Sequence, residues 1–277
     1  MKVYLAFDME GCTGTAIWGQ MRPEAPLPPE VFSRAKRMAT NDVLAAIEGI
    51  LEVDPKAEIL FNDGHATNMN VYFEEFPENV SAVINSREVY DEVFGLDASF
   101  DALIGIGVHG SPLIPDAVLC HNWNVREVKF NGKSLTEICL NASLAGYYGV
   151  PLVAISGDEA TVNYVKGNVS QKISSAVVKK GFGRYMAISS TPNRTRGLIR
   201  EAVKEGLTRR SEIPALTYKN PVTVEIDYLD QSNAHAVHHF LGDEMVTSTK
   251  IRFVAGNARD AYLGFLTRIK ISMPRTY

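Results

Sequence analysis

Apolar positions in this chain fall into short unbroken runs set between longer stretches with helical spacing. Lys2–Phe7, Glu58–Phe61, Ser81–Asn85, Ala102–Val108, Ala117–Cys120 and Pro151–Ile155 are rich in aliphatic and aromatic residues. They are too short for helices, which predicts buried strands. From Glu30 to Leu51 the apolar positions Val43, Leu44, Ile47 and Ile50 recur at helical spacing until Asp54-Pro55 stops them. Leu135 to Tyr147 reads as another helix, and a shorter helical stretch is expected up to Asp91. Val125–Phe130, Asn131-Gly132 and Lys133 predict a hairpin. This alternation predicts an α/β fold in three layers: a largely parallel or mixed central sheet with helices on both faces.

The pattern is less regular further on. Pro151–Ile155 ends at Ser156-Gly157-Asp158-Glu159, and Val169–Ala187 mixes strand and helix signals. Asn193–Arg210 is amphipathic, Pro221–Tyr228 alternates like a strand, and Gln231–Phe240 has helical character. Lys250–Val254 and Arg259–Ile271 predict a last strand and a closing helix. The expected organisation is an α/β catalytic part at residues 1–190 with a smaller C-terminal α/β region at 191–277, packed together or forming one domain. A polar, proline-rich loop, Thr13–Pro29 with Trp18, has the length of a lid or a subunit contact.

Composition narrows the class. The 277 residues carry a net charge of −4, which argues against a nucleic-acid partner. No apolar run is long enough to span a membrane. The N-terminal residues enter a strand directly, without a signal-peptide cleavage region. Three cysteines (Cys12, Cys120, Cys139) form no paired framework and no C-x-x-C site. A reduced, cytoplasmic protein is expected.

The chemistry gathers where apolar runs end. Asp8 and Glu10 follow the first, His65 the second, His109 and His121 later ones, and Glu137 opens a helix. Positions i and i+2 of extended chain share a side, so Asp8 and Glu10 face one spot and repel unless a proton or cation lies between them. Carboxylates with imidazoles suit zinc or manganese. Three carboxylates and a hydroxide balance two divalent cations, and a metal pair activates water for hydrolysis. Each residue also has a plainer reading as a turn, cap or buried side chain. Asp63 and Asp158 fit caps or supports of a ligand, and Cys120 a small buried side chain.

The ordered motifs Asp8-Met9-Glu10-Gly11, Asn62-Asp63-Gly64-His65, Gly107-Val108-His109, His121, and Asn131 through Glu137 to Asn141-Ala142 resemble the zinc-dependent D-aminopeptidase family, peptidase family M55. These proteins are also labelled dipeptide-transport proteins. The likeness covers roughly the first 160 residues well. It implies that Asp8, Glu10, His65, His109 and Glu137 hold two Zn2+ per chain, with Asp8 as the bridge. It also implies that His121 is catalytic. The implied protein is a cytoplasmic aminopeptidase acting on short peptides with an N-terminal D-residue, assembled as a large homo-oligomeric ring. Ala6 replaces a serine common in the family, and the interval from His109 to His121 is about one residue longer, which bears on substrate preference.

Other readings stay open. One is a metal-dependent amide or ester hydrolase for a different substrate; another is a non-catalytic peptide-binding or transport-accessory protein. Asn141 and Arg184 are candidates for lining the cleft. Lys179-Lys180-Gly181-Phe182-Gly183-Arg184 offers an anion cradle, against a solvated turn. His235, His238 and His239 share a helix face but lack a nearby acid, and read as an exposed or interface helix.

Overall fold

The computed structural model describes residues 1–66, 68–89 and 91–273. The chain begins with β1 (Lys2–Phe7), then α1 (Pro29–Val53), β2 (Glu58–Asp63), β3 (Val80–Val83) and β4 (Ala102–Val108). The hairpin β5 (Val125–Phe130) and β6 (Lys133–Ser134) leads into α2 (Glu137–Tyr147). Next come β7 (Leu152–Asp158), α3 (Glu159–Asn168), β8 (Ser174–Gly181), β9 (Ala187–Ser189) and α4 (Pro192–Thr208). Finally there are β10 (Val222–Tyr228), α5 (Gln231–Leu241), β11 (Glu244–Met245), β12 (Lys250–Ala255) and α6 (Ala258–Ser272).

The main sheet runs β3-β2-β1-β4-β7-β8-β9, parallel throughout except for the antiparallel edge pair β8–β9. From β1 the order steps one way to β2 and β3, and from β4 the other way to β7 and β8. Right-handed crossovers therefore place α1 on one face and α2 and α3 on the other. The reversal lies between β1 and β4. Open parallel sheets bind ligands beyond the C-terminal strand ends at such a point.

β4 and β7 are buried along their whole length, as strands covered on both faces must be. The apolar stripe of α1, with Ala39, Val43, Ala46, Ile47 and Ile50 buried, faces the core. α4 packs beside α1, and the pair is laced by Arg196–Glu48 and Lys204–Glu52. A second, antiparallel sheet runs β11-β12-β10-β5-β6. It takes β5 and β6 from mid-chain, while α4 lies against β7 and β8. Residues 1–190 thus supply every strand of the main sheet and two of the second, and residues 191–277 supply the other three and the helix α4 that packs on the main sheet.

Several expected elements differ. Ala117–Cys120 is a turn: Pro112 and Pro115 break the backbone just before it, and Asp116 and Leu119 take positive φ. Near Asp91 the helical stretch reduces to one 3-10 turn, Ser86–Glu88. α3 has no counterpart in the apolar pattern. No helix among the described residues is long and apolar enough to cross a membrane.

Candidate metal centre

The chain turns at once after β1. Asp8 N donates to Ile106 O (2.8 Å) and Gly11 N to Gly107 O (2.7 Å), laying the turn on the end of β4. The approach leaves no room for side chains. A Cβ on Gly11 would meet Val108 O at 2.1 Å; one on Gly107, where φ is +72°, would meet Asp8 O at 1.9 Å. Glycine alone fits at either position. This contact sets Asp8 and Glu10 beside His109 where the strand order reverses.

Asp8 stands between two histidines. Its Oδ1 lies 3.3 Å from His65 Nδ1 and its Oδ2 3.2 Å from His109 Nε2. Glu10 Oε2 is 2.9 Å from the same His65 nitrogen, and Glu137 Oε2 is 3.3 Å from the same His109 nitrogen. Two groups therefore share Asp8: one with Glu10 and His65, the other with His109 and Glu137. His121 closes the space between them. Its Nε2 is 3.8 Å from Glu10 Oε1, and its ring stacks on His109 at 4.1 Å. The ligand atoms of His109, His121 and Glu137 lie within 4.8 Å of one another, so His121 is close enough to share an ion.

The outer nitrogen of each ring faces a backbone carbonyl. His65 Nε2 meets Met21 O (3.2 Å), His109 Nδ1 meets Gly110 O (3.0 Å) and His121 Nδ1 meets Leu119 O (2.9 Å). A carbonyl only accepts, so these nitrogens carry the protons and the inner ones are left for the site. The inner nitrogen of His109 is buried and has no hydrogen-bond partner, despite its two carboxylate neighbours. A cation between these groups satisfies all of them, in the manner of a histidine ligand oriented by an outer hydrogen bond. Carboxylates and imidazoles are donors for zinc. The residues present fit metal binding, with Asp8 Oδ1 turned to His65 and Oδ2 to His109.

Charges inside the cluster override burial. Burial alone would lower the imidazole pKa values, but Glu10 and Asp8 raise His65, and Glu137 and Asp8 raise His109, well above the usual range. Burial likewise opposes ionised Asp8 and Glu137, yet Glu10 and the histidines hold Asp8 low, and His109 holds Glu137 low. Imidazolium protons balance the acids where no metal does, and metal binding would expel them.

Comparison with known proteins then decides the relationship. The family model for peptidase M55, D-aminopeptidase, matches residues 1–267. The chain belongs to the M55 D-aminopeptidase family. Membership places it among hydrolases of peptide bonds. It is similar to a curated D-aminopeptidase of Bacillus subtilis (strain 168), 24% identical with all of both chains covered. It also resembles the solved structure of the Zn-dependent D-aminopeptidase DppA from Bacillus subtilis, described as a self-compartmentalizing protease. That match has 23% identity, a TM-score of 0.91 and full coverage of both chains.

Around this M55 centre lies a cavity of roughly 420 Å3, with Trp18, Arg22, Glu92, His121 and Glu137 in its wall. Trp123 reaches it at φ +41°, and its N–H donates to Glu137 Oε1 at 3.0 Å. Asn141 Nδ2 donates to Glu92 Oε2 at 2.8 Å. Burial, then Glu137 and Asp8, push the Glu92 carboxyl well above its usual range. Asp63 accepts from the backbone of His65 and Asn70, bracing the loop that carries His65. Asp158 caps α3 through Thr161. The Arg184 guanidinium lies 5.8 Å from the Trp18 ring, and Arg22, not Arg184, appears in the cavity wall. The stretch read as an anion cradle or a solvated turn divides: Lys180 pairs with Glu159, and Lys179 turns inward. His235, His238 and His239 are exposed on α5, with His238 Nδ1 donating to Asp243 O.

Glu92 and Arg22 were not singled out by their spacing, and Lys179 was read only as part of a glycine-rich anion cradle. Glu92 lies in a stretch without period, and Arg22 in an irregular loop. Lys179 looks like half of an exposed lysine pair.

Proposed function

We propose that this protein is a binuclear zinc aminopeptidase that removes the N-terminal residue of short peptides, with D-residues preferred. The shared Asp8, flanked by an orphaned imidazole nitrogen on His109, carries this reading. The names of its relatives support the substrate class. Glu10 and His65 would complete one zinc site, and His109 and Glu137 the other. Zinc there supplies a water of near-neutral pKa and a Lewis-acid contact for the peptide carbonyl.

The chain's own residues supply the remainder. His121 keeps its Nδ1–H on Leu119 O, which leaves Nε2 facing the cavity to carry a proton between the attacking water and the leaving amine. Glu92 is a carboxyl in the cavity wall, kept protonated by burial and by the charges of Glu137 and Asp8; cations bound by those two acids would offset their charge and let Glu92 meet a peptide's free ammonium as a carboxylate. Trp18, packed edge-on to the His121 ring at 5.1 Å, shields that proton from bulk water. A self-compartmentalizing relative supports assembly as a homo-oligomer, and three free buried cysteines suit a reducing cytoplasm.

The test is release of free amino acids from D- and L-dipeptides by zinc-loaded protein. Faster release from peptides with an N-terminal D-residue is expected. Zinc-loaded protein that hydrolyses no small peptide would overturn the reading in favour of a binding protein. Hydrolysis confined to esters or cyclic amides would move it to another substrate class.

A further inference from the structure

Lys179 is 2% exposed, yet its ammonium forms no ion pair among the described residues. It meets four oxygens instead: Glu10 O at 2.5 Å, Cys12 O at 3.0 Å, Thr15 O at 2.7 Å and Thr15 Oγ1 at 2.8 Å. All four belong to the turn that follows β1. Thr15 Oγ1 in turn lies 2.9 Å from Glu10 O and 2.8 Å from Cys12 O, so ammonium and hydroxyl close the turn into a small cage.

The reach is long for a fastener. Lys179 sits on β8, opposite Asp158 of β7, and must pass the ends of β7 and β4 to touch a turn borne by β1. A buried ammonium without an acid partner is costly. Thr13, from the other side of the same turn, is held through its N–H and hydroxyl by Asp42 of α1 at 2.8 and 2.9 Å. The segment between these anchors carries Glu10, whose carboxylate meets His65 and approaches His121.

We propose that Lys179 is a positioning residue, whose ammonium fixes the turn from Glu10 to Thr15 and thereby aims the Glu10 carboxylate at one of the two zinc positions. This rests on the binuclear reading above. Glu10 pairs closely with His65, at 2.9 Å, and only more loosely with Asp8 and His109, whose ligand atoms lie within 4.8 Å of its own, so the effect falls mainly on the ion nearer His65. Loss of Lys179 weakens the ion shared by Asp8, Glu10 and His65, and leaves the one shared by Asp8, His109 and Glu137 little changed.

The experiment is stepwise removal of zinc by a competing chelator from wild type, Lys179→Met and Glu10→Gln. Lys179→Met should weaken one ion by about 10- to 100-fold, the range seen when a residue supporting a metal ligand is lost. It should be the same ion that Glu10→Gln weakens, with the second little changed. Lys179→Ala, with and without propylammonium, gives an independent readout even if Lys179→Met folds poorly. The added amine should restore the affinity of that one site, which a general loss of packing would not allow. Equal weakening of both ions, unchanged affinity in Lys179→Met, or no response to propylammonium would overturn the proposal. Wild type that binds fewer than two zinc ions would defeat the binuclear reading first, and this inference with it.

Discussion

The buried Nε2 of His109 has two carboxylate oxygens within 3.3 Å and a hydrogen bond to neither. Its raised pKa, and that of His65, belong to the metal-free cluster. Their stabilisation is full below the ordinary imidazole value of 6.5 and is lost as pH rises through the raised values. Zinc bound there would replace those protons. The gap in melting temperature between zinc-loaded and metal-free protein should therefore widen from about pH 6.5 upward; a gap that narrows would contradict the exchange. His121→Ala should keep its zinc while kcat falls by about 10²- to 10⁴-fold, and loss of zinc together with activity would make His121 a ligand. Glu92→Gln should raise KM for dipeptides with a free amino group and leave N-acetylated compounds as they were. An unchanged KM removes Glu92 from substrate binding. Asp8, Glu10, His65 and His109 were legible in the sequence as candidates because an apolar run ends beside each, and Glu137 because it opens a helix. Lys179 was not. Strict alternation along β8 would turn it outward, but the β7–β8 register slips after Gly157 and both Val178 and Lys179 face in.

Elements explain which side chains hold still. α1 lends Asp42 to the turn after β1, and burial pushes its carboxyl up to about 6. With the folded value above the ordinary 3.8, the contribution is full below that value and lost as pH rises through 6. The loss is roughly 3 kcal/mol. Urea unfolding of wild type and Asp42→Asn at pH 4 and pH 7 should show the difference between them shift by about that much against wild type. A flat difference would mean that Asp42 ionises freely. β1, β4, β7, α1 and α2 could be read from apolar spacing, since each buries a long regular face. α3 could not: only Thr161, Val162 and Val165 are buried on it, and Asp158, its cap, reads equally well as a site residue. The segment before His121 misled for the opposite reason. Its apolar residues are buried, but prolines and left-handed positions at Asp116 and Leu119 make it a turn, and that turn supplies the carbonyl of Leu119 that orients His121.

On the scale of the whole molecule, the chain order of the strands brings distant residues together. β1 and β4 adjoin at the reversal of the main sheet, and the β5–β6 hairpin of the second sheet delivers α2 so that Glu137 reaches the same place. A sequence shows strand ends but not their adjacency, so the spatial order had to come from the fold. Exposed Phe182, Tyr185, Met186 and Ile188 around the β8–β9 edge offer apolar surface for contact between copies. Sedimentation should give a mass several times that of one chain, and a monomer at micromolar concentration would contradict the homo-oligomer. The proposed dependence of two zinc positions on one carboxylate is tested most directly by elemental analysis of wild type beside Asp8→Asn. Two zinc ions per chain in wild type, and loss of both in the variant while the fold persists, is the predicted result; a variant that still holds two ions, or wild type that never holds more than one, would contradict it.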